Sequence, residues 1–233
     1  LGESHAGGRS AIAIRMAGYG AIVVRGASTS PVYVVVEGQQ VHFRDARALW
    51  GTRSAYTTGS VLREREKGAG VRSIMRIGRA GEVGVSYASV IIETYRHFGR
   101  LGLGAVFGSK KLKGLVISGQ RSLPVADRKA YRSLYDGMYQ AATESPVMRK
   151  YHELGTAMNI LPMDAMGALP TRNLQQGSFE GAQAICGETL AEEYLGRRLA
   201  CAHCPVACIH LAAVRYPYPK EPYFYKTSMI GYD

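Results

Sequence analysis

Three closely spaced cysteines constrain this chain more than any other feature of its sequence. Cys201, Cys204 and Cys208 follow a C-x2-C-x3-C pattern, which is too tight for one disulfide pair and can bring three thiolates to one point. A metal centre is therefore expected. An iron–sulfur cubane would take a fourth thiolate from elsewhere in the chain, whereas His203 or His210 could complete a zinc site.

The spacing alone also leaves room for incidental free thiols. The chain has four cysteines, and the remaining one, Cys186, stands apart from the other three. We expect Cys186 to be a small buried apolar residue, with a role as a metal ligand as the alternative.

Composition indicates an ordinary globular protein. The 233 residues are 46% hydrophobic and 20% charged, enough for one large domain or two small ones. The longest apolar runs, such as residues 32–36, fall far short of the roughly 20 residues that a membrane helix needs, so no membrane span is expected. Neither end resembles a targeting segment. We expect both ends to be cuts from a longer chain, and the protein to be cytoplasmic.

The net charge of +11 is compatible with a nucleic-acid-binding surface, an anionic cofactor or acidic partners. Basic residues are scattered along the chain, with one concentration between Arg96 and Lys113 that contains five basic residues and no acidic one. Glycines are interspersed in the same stretch. The stretch by itself leaves these alternatives open; the family resemblance given below implies an anionic cofactor there, and no nucleic-acid partner is then expected.

Hydrophobic patterning predicts an α+β fold in two parts. The first, residues 1–122, is strand-rich, with a hairpin around the Glu37–Gly38 turn and a helix at 57–67. Strands are predicted at residues 21–24, 31–36, 41–43, 73–77 and 112–118. The second part, residues 123–233, is predicted to be mainly α-helical and to carry the cysteines.

Two helices are predicted in the second part. The first begins near residue 126, and its apolar stripe is expected to face a core. The residues of this stripe are Ala126, Ala130, Leu134, Met138 and Ala141. The second spans 188–199, with acidic residues at its start and basic residues at its end, as the helix dipole favours. It would lead the chain directly to Cys201.

Four segments resemble one family in the same order along the chain. The cysteine run, with Pro205 after its second cysteine, resembles the cluster motif of the tungsten aldehyde:ferredoxin oxidoreductase family. Residues 4–8 with 16–24, residues 99–113 and residues 167–173 match the same family. The resemblance implies a [4Fe-4S] cluster and a tungsten or molybdenum ion held by two pterins, whose phosphates meet through Mg2+. It also implies a pterin-binding role for the first domain.

The resemblance also implies which residues bind the pterin group. These are His5, Gly7, Gly8, Arg96, Arg100, Gly102, Gly104, Arg172 and Asn173. Glycines let the backbone approach an anion closely, and arginines supply charge-assisted hydrogen bonds. The alternatives are tight turns for the glycines and a surface loop for the last two residues. His5 stands where the family usually has Asn.

The activity that the resemblance implies is the oxidation of aldehydes to carboxylic acids. Electrons would pass through the cluster to ferredoxin or another electron-transfer subunit, in a homo- or hetero-oligomer. A related branch, the tungsten subunit of class II benzoyl-CoA reductases, reduces an aromatic acyl-CoA, and the aromatic tail suits that branch. His210 is a candidate proton donor or a structural histidine, and Glu221 is the candidate carboxylate. A function of another class is a zinc-binding nucleic-acid module.

Overall fold

The computed structural model describes residues 2–218 and 221–232, with side chains described up to residue 213. The chain forms two compact units, Leu1–Val125 and Ala126–Asp233, called unit 1 and unit 2 below. The domain limit after residue 122 stays a prediction. Among the described residues, no helix has the length and apolar character needed to cross a membrane.

Unit 1 is built on a six-stranded mixed sheet in the order β2-β1-β6-β3-β4-β5. Strands β1 and β6 are parallel, and the other neighbouring pairs are antiparallel. The strands are β1 Val32–Glu37, β2 Gln40–Asp45, β3 Val71–Arg76, β4 Val90–Ile92, β5 Arg96–Phe98 and β6 Leu112–Gly119. The hairpin, β3 and β6 confirm the sequence prediction.

Helices cover both faces of this sheet. Helix α1 (Ser10–Ala17) buries Ala13 and Ala17 against one face, and α2 (Ala55–Arg65) buries Leu62 against the other. Successive strand residues point to opposite faces, so β6 is buried at all of its positions. Burying a side chain such as Leu62 contributes about 2 kcal/mol. The predicted helix at 57–67 corresponds to α2.

Two further helices of unit 1 pack closely through glycine. These are α3 (Arg79–Glu82) and α4 (Leu103–Ser109). A Cβ atom on Gly108 would lie 1.8 Å from the carbonyl oxygen of Gly81, so a side chain at this position is excluded. Part of the glycine-rich segment therefore forms α4, and Gly108 provides the close contact of α4 with α3.

Unit 2 combines short helices with a three-stranded antiparallel sheet in the order β7-β8-β9. The helices are α5 Arg128–Glu144, α6 Pro146–Leu154, α7 Ile160–Ala165, α8 Ala182–Ile185 and α9 Gly187–Thr189. The strands are β7 Leu195–Leu199, β8 Ile209–Tyr218 and β9 Glu221–Tyr232. Short 3-10 turns occur at Arg47–Leu49 in unit 1 and Thr156–Asn159 in unit 2. Side chains of Asp127 and Ser145 cap the starts of α5 and α6.

Three predictions about secondary structure or packing are wrong. Residues 21–24 form no strand, and within the described structure they have no ladder partner. In place of the helix predicted at 188–199, the chain forms α9, a π-helical turn at Leu190–Tyr194 and then β7. Leu195–Leu199 is a strand because it pairs with β8. The stripe on α5 faces no core in the described structure, since Leu134 and Met138 are 68% and 72% exposed.

The predicted α+β class agrees with the mixed sheet and its helices. The prediction of a helical setting for the cysteines is not confirmed, because they lie in the connection between β7 and β8.

Candidate functional site

Two segments that are distant in sequence lie side by side in unit 1. The main-chain N–H of Arg100 donates a hydrogen bond to Ser4 Oγ at 3.1 Å. A Cβ atom on Gly8 would lie 3.7 Å from Arg96 Cγ, which is van der Waals contact. Residues 4–8 and 96–100 therefore form one continuous region.

A cavity of about 420 Å³ opens beside the first of these segments. Its lining comes from residues 4–7, α1, β3 and β5. The lining residues are Ser4, His5, Ala6, Gly7, Ser10, Ala11, Ile14, Met75 and Phe98. Of the predicted cofactor residues, His5 and Gly7 line this cavity. The His5 side chain is 80% exposed and lies 3.4 Å from the Glu3 carboxylate.

The start of α1 forms part of the cavity wall. No side chain caps this helix, which follows Gly8 in a left-handed conformation with φ of 104°. The first N–H groups of a helix have no intrahelical acceptor and carry partial positive charge, so they can bind an anion. Ser10 Oγ, 2.8 Å from Ser73 Oγ, holds this end of the helix on β3. The sequence analysis missed Ser4 and Ser10, although Gly7-Gly8 directly before a helical run was a usable signal.

The positive charge of the chain is concentrated in unit 1. Unit 1 has 18 Lys and Arg residues against 7 Asp and Glu, whereas unit 2 has 11 of each kind. The whole excess of +11 therefore lies in the unit that contains the cavity. Arg96 is half-buried and Arg100 is exposed.

The three lysines of the basic stretch stabilise the fold. Lys110 Nζ donates to the Gly26 carbonyl at 2.8 Å, and Lys111 Nζ donates to the Thr29 carbonyl at 2.6 Å. Lys113 forms a buried ion pair with Glu82. Arg96 and Arg100 are therefore the two members of the stretch that lie beside residues 4–8.

Gly102 and Gly104 are required for packing. A Cβ atom on Gly102 would lie 2.1 Å from the carbonyl oxygen of Ser86, and one on Gly104 would lie 2.5 Å from that of Ser89. Neither glycine lines the cavity. Gly102 agrees with the tight-turn alternative and lies in the same connection as Arg100, whereas Gly104 lies within α4.

In unit 2, Arg172 and Asn173 lie on a strained loop between α7 and α8. Arg172, Asn173 and Leu174 all have left-handed φ angles, between 50° and 66°. Each such residue costs about 1–2 kcal/mol, and strain of this kind is common at functional sites. Main-chain hydrogen bonds between Thr171 and Gln176 close the loop, and Arg172 forms an ion pair with Glu180.

The cysteine loop, residues 200–208, joins β7 to β8. Cys201, Cys204 and Cys208 are half-buried and form no disulfide with the described cysteines, and Cys204 N–H donates to the Cys201 carbonyl at 3.1 Å. In the described part of the chain, no three His, Cys, Asp or Glu side chains are grouped so that they could hold a metal ion. The predicted convergence of the three sulfurs on one metal centre stays a prediction. Three thiols at this spacing nevertheless suit iron in their chemistry.

His210 is a buried histidine next to this loop. It is 1% exposed, and its Nε2–H donates to the His152 carbonyl at 2.9 Å. Burial lowers the pKa of His210, and the nearby charges of Arg198 and His152 act in the same direction, whereas the His152 hydrogen bond opposes them. His210 Nδ1 is buried without a hydrogen-bond partner among the described residues, which suits a neutral ring. This placement supports the structural role rather than the proton donor.

Cys186 is fully buried in unit 2, as predicted. Its thiol donates to the Gln183 carbonyl at 3.1 Å. Glu221 is the first residue of β9, and its side chain lies outside the described part of the chain.

Two family models match nearly the whole chain. The N-terminal domain of aldehyde ferredoxin oxidoreductase matches residues 1–119, and domains 2 and 3 of the same family match residues 133–232. The chain belongs to the aldehyde ferredoxin oxidoreductase family. This confirms the family, an enzyme family, that the four sequence segments indicated.

Named relatives agree with this assignment. The tungsten-containing aldehyde ferredoxin oxidoreductase of Thermococcus kodakarensis is 35% identical over 209 residues, covering 88% of this chain and 34% of the relative. The WOR-like subunit of aliphatic sulfonate oxidoreductase from Pyrococcus furiosus is 28% identical over 218 residues, with the same coverage. The chain thus spans about a third of the length of these two curated relatives.

A solved structure has a similar fold. It is the active site complex BamBC of benzoyl coenzyme A reductase in complex with 1,5-dienoyl-CoA, with a TM-score of 0.70 and 26% identity. The match covers 91% of this chain and 34% of that one.

Proposed function

We propose that the whole protein is a tungsten–pterin oxidoreductase, with unit 1 as part of its cofactor site. The observation that carries the proposal is the junction of residues 4–8 with residues 96–100. This junction lies at the uncapped start of α1, in the unit that holds the whole excess of positive charge. Molybdenum in place of tungsten is the alternative metal.

The residues around the cavity suit the phosphates of a pterin group. Arg96 and Arg100 would form charge-assisted hydrogen bonds with phosphate oxygens, and the N–H groups at the start of α1 would add partial positive charge. Gly7 and Gly8 carry no side chain that could block the approach. His5, at the cavity wall, would face the phosphates or their Mg2+. For Arg172 and Asn173, on the strained loop of unit 2, a contact with pterin rests on the family resemblance alone.

The cysteine loop would supply three ligands of a [4Fe-4S] cluster. Thiolates are the usual iron ligands of such clusters, and three of them lie on one short loop here. On this proposal the side chains of Cys201, Cys204 and Cys208 would gather around the cluster. When bound, the tungsten–pterin group supplies two-electron redox chemistry and the cluster carries electrons one at a time.

The reaction we propose is the oxidation of an aldehyde with water to a carboxylic acid, releasing two protons and two electrons. Relatives named as tungsten-containing aldehyde ferredoxin oxidoreductases support it. The electrons would pass to ferredoxin or another electron-transfer subunit. Two relatives come from multisubunit enzymes, which supports an oligomer.

The second candidate reaction is the reduction of an aromatic acyl-CoA. The structural likeness to benzoyl coenzyme A reductase favours it. For the zinc-binding nucleic-acid module, by contrast, the family assignment offers no support.

Assays of the full-length protein separate the two reactions. Purified without oxygen, it should oxidise aldehydes with a viologen dye and with ferredoxin, and it should not reduce benzoyl-CoA. The opposite pattern would establish the second reaction.

Arg100→Gln should lower the tungsten content of the full-length protein about tenfold or more, because a hydrogen bond to a charged group is lost. Arg44→Gln, an exposed arginine on β2, is the control and should keep its tungsten.

A further inference from the structure

The centre of the cysteine loop is held by the side chain of one histidine. His152, on α6, lies with its ring Nδ1 2.7 Å from the carbonyl oxygen of Val206. A carbonyl can only accept, so Nδ1 must carry a proton and donate it. Val206 stands between Cys204 and Cys208, so this bond fixes the part of the loop that separates two thiols.

The main-chain oxygen of the same histidine holds both strands that flank the loop. Arg198 Nε, on β7, donates to the His152 carbonyl at 2.9 Å, and His210 Nε2, on β8, donates to it at 2.9 Å. Helix α6 ends at Leu154, so this carbonyl has no intrahelical donor. Basic side chains at a helix C-terminus are favourable partners for such carbonyls.

The loop needs an external anchor. His203 and Ala207 adopt left-handed φ angles of 61° and 52°, which non-glycine residues reach only at a cost in free energy. A groove of about 260 Å³ beside Pro205 and Val206 leaves this side of the loop loosely packed. The hydrogen bond from the exposed His152 ring is therefore the side-chain contact that we assign to the centre of the loop.

We propose that His152 is a positioning residue for the cysteine loop. Its ring fixes the centre of the loop, and its main-chain oxygen fixes both ends. The inference rests on the proposed function in one respect, namely that the loop supplies the cluster ligands. Only the ring contact depends on the side chain at this position, so a substitution should loosen the loop without unfolding unit 2.

Three variants of the full-length protein test the proposal. His152→Leu removes the donor at similar size, and His152→Asn places an amide N–H close to the position of Nδ1. Glu153→Gln, a neighbouring exposed position on α6, is the control. For the iron-free protein, hydrogen–deuterium exchange of residues 200–209 reports on the loop, and thermal melting reports on the fold.

We expect the rate of hydrogen–deuterium exchange in the loop to rise about threefold to tenfold in His152→Leu, because this variant loses one hydrogen bond. His152→Asn should restore slow exchange, and Glu153→Gln should match wild type. After anaerobic reconstitution, His152→Leu should retain less iron than wild type. Its remaining cluster should show a shifted midpoint potential, which His152→Asn returns towards the wild-type value.

Unchanged loop exchange in His152→Leu would overturn the proposal, whatever its iron content. So would faster exchange in His152→Leu that His152→Asn fails to reverse. If the wild-type protein took up no iron, the proposed cluster would be wrong. The exchange data would then still decide whether His152 positions the loop.

Discussion

The main-chain N–H of Arg100 donates to the side-chain oxygen of Ser4 at 3.1 Å, across 96 positions of sequence. This bond joins the two segments that we assign to the cofactor site. Because Ser4 also lines the cavity, the bond couples the shape of the cavity wall to the position of Arg100.

Ser4→Ala should therefore weaken cofactor retention. One hydrogen bond is lost, so tungsten content of the full-length protein should fall about threefold while the fold is kept. Elemental analysis measures this content. Ser4→Thr, which keeps the hydroxyl, should behave as wild type, and Ser60→Ala, on the exposed side of α2, is the control. Equal tungsten content in Ser4→Ala and wild type would show that this hydrogen bond does not contribute to cofactor retention.

Gly102→Ala should destabilise unit 1. The new Cβ atom would meet the Ser86 carbonyl at 2.1 Å, and the residue has a φ of 63°. Together these effects should cost about 2 kcal/mol or more of the free energy of unfolding. Chemical denaturation provides the measurement. Gly99→Ala is the matched control, because nothing lies within 4 Å of its Cβ position; equal losses in both variants would contradict the packing role.

The buried pair of Lys113 and Glu82 should respond differently to single and double substitution. Their side chains are 0% and 3% exposed, and Glu82 also accepts from the Gly51 N–H at 2.9 Å. Glu82→Gln leaves a buried ammonium without a countercharge, which should cost about 3–5 kcal/mol. Adding Lys113→Met should recover much of this loss. A double variant less stable than Glu82→Gln in urea unfolding would show that the charge is not the cause.

Tyr33 should lose its proton at a higher pH than an ordinary tyrosine in an alkaline titration. Burial, and then the hydrogen bond from its hydroxyl to Glu66 Oε1 at 2.6 Å, raises the pKa of Tyr33 to about 12. The unfolded chain loses this proton near pH 10, so the stability from Tyr33 is present below about pH 10 and is lost as the pH rises towards 12. Rapid-mixing absorbance should show a late tyrosinate transition that Tyr33→Phe removes. Tyr87→Phe, at an exposed tyrosine, should keep it.

The sequence predicted those elements whose patterns are local. The apolar runs in β1 and β6 and the turn between β1 and β2 are properties of neighbouring residues, and each appears in the structure. The segment at Leu195–Leu199 was mispredicted because its charges suit a helix, whereas its pairing with β8 decides the outcome. Residues 21–24 have the composition of a strand but no partner in the described structure.

In the candidate site, too, the sequence predicted what local motifs determine and not what long-range contacts determine. Motif resemblance located Gly7, Gly8, Arg96 and Arg100, which lie in one region. It could not show that Gly104 serves helix packing, or that Lys113 is neutralised by Glu82 within the core, because both facts depend on long-range contacts. His152 carries no motif signal, and only its contact with Val206 reveals its position next to the cysteine loop.

The metal and pterin content of the full-length protein, produced with tungstate and purified without oxygen, is the decisive measurement for a tungsten–pterin site. We expect tungsten with two pterins, together with about four irons per chain, and loss of tungsten and pterin in an Arg96→Gln, Arg100→Gln double variant. A protein that contains zinc and neither pterin nor iron would contradict this expectation.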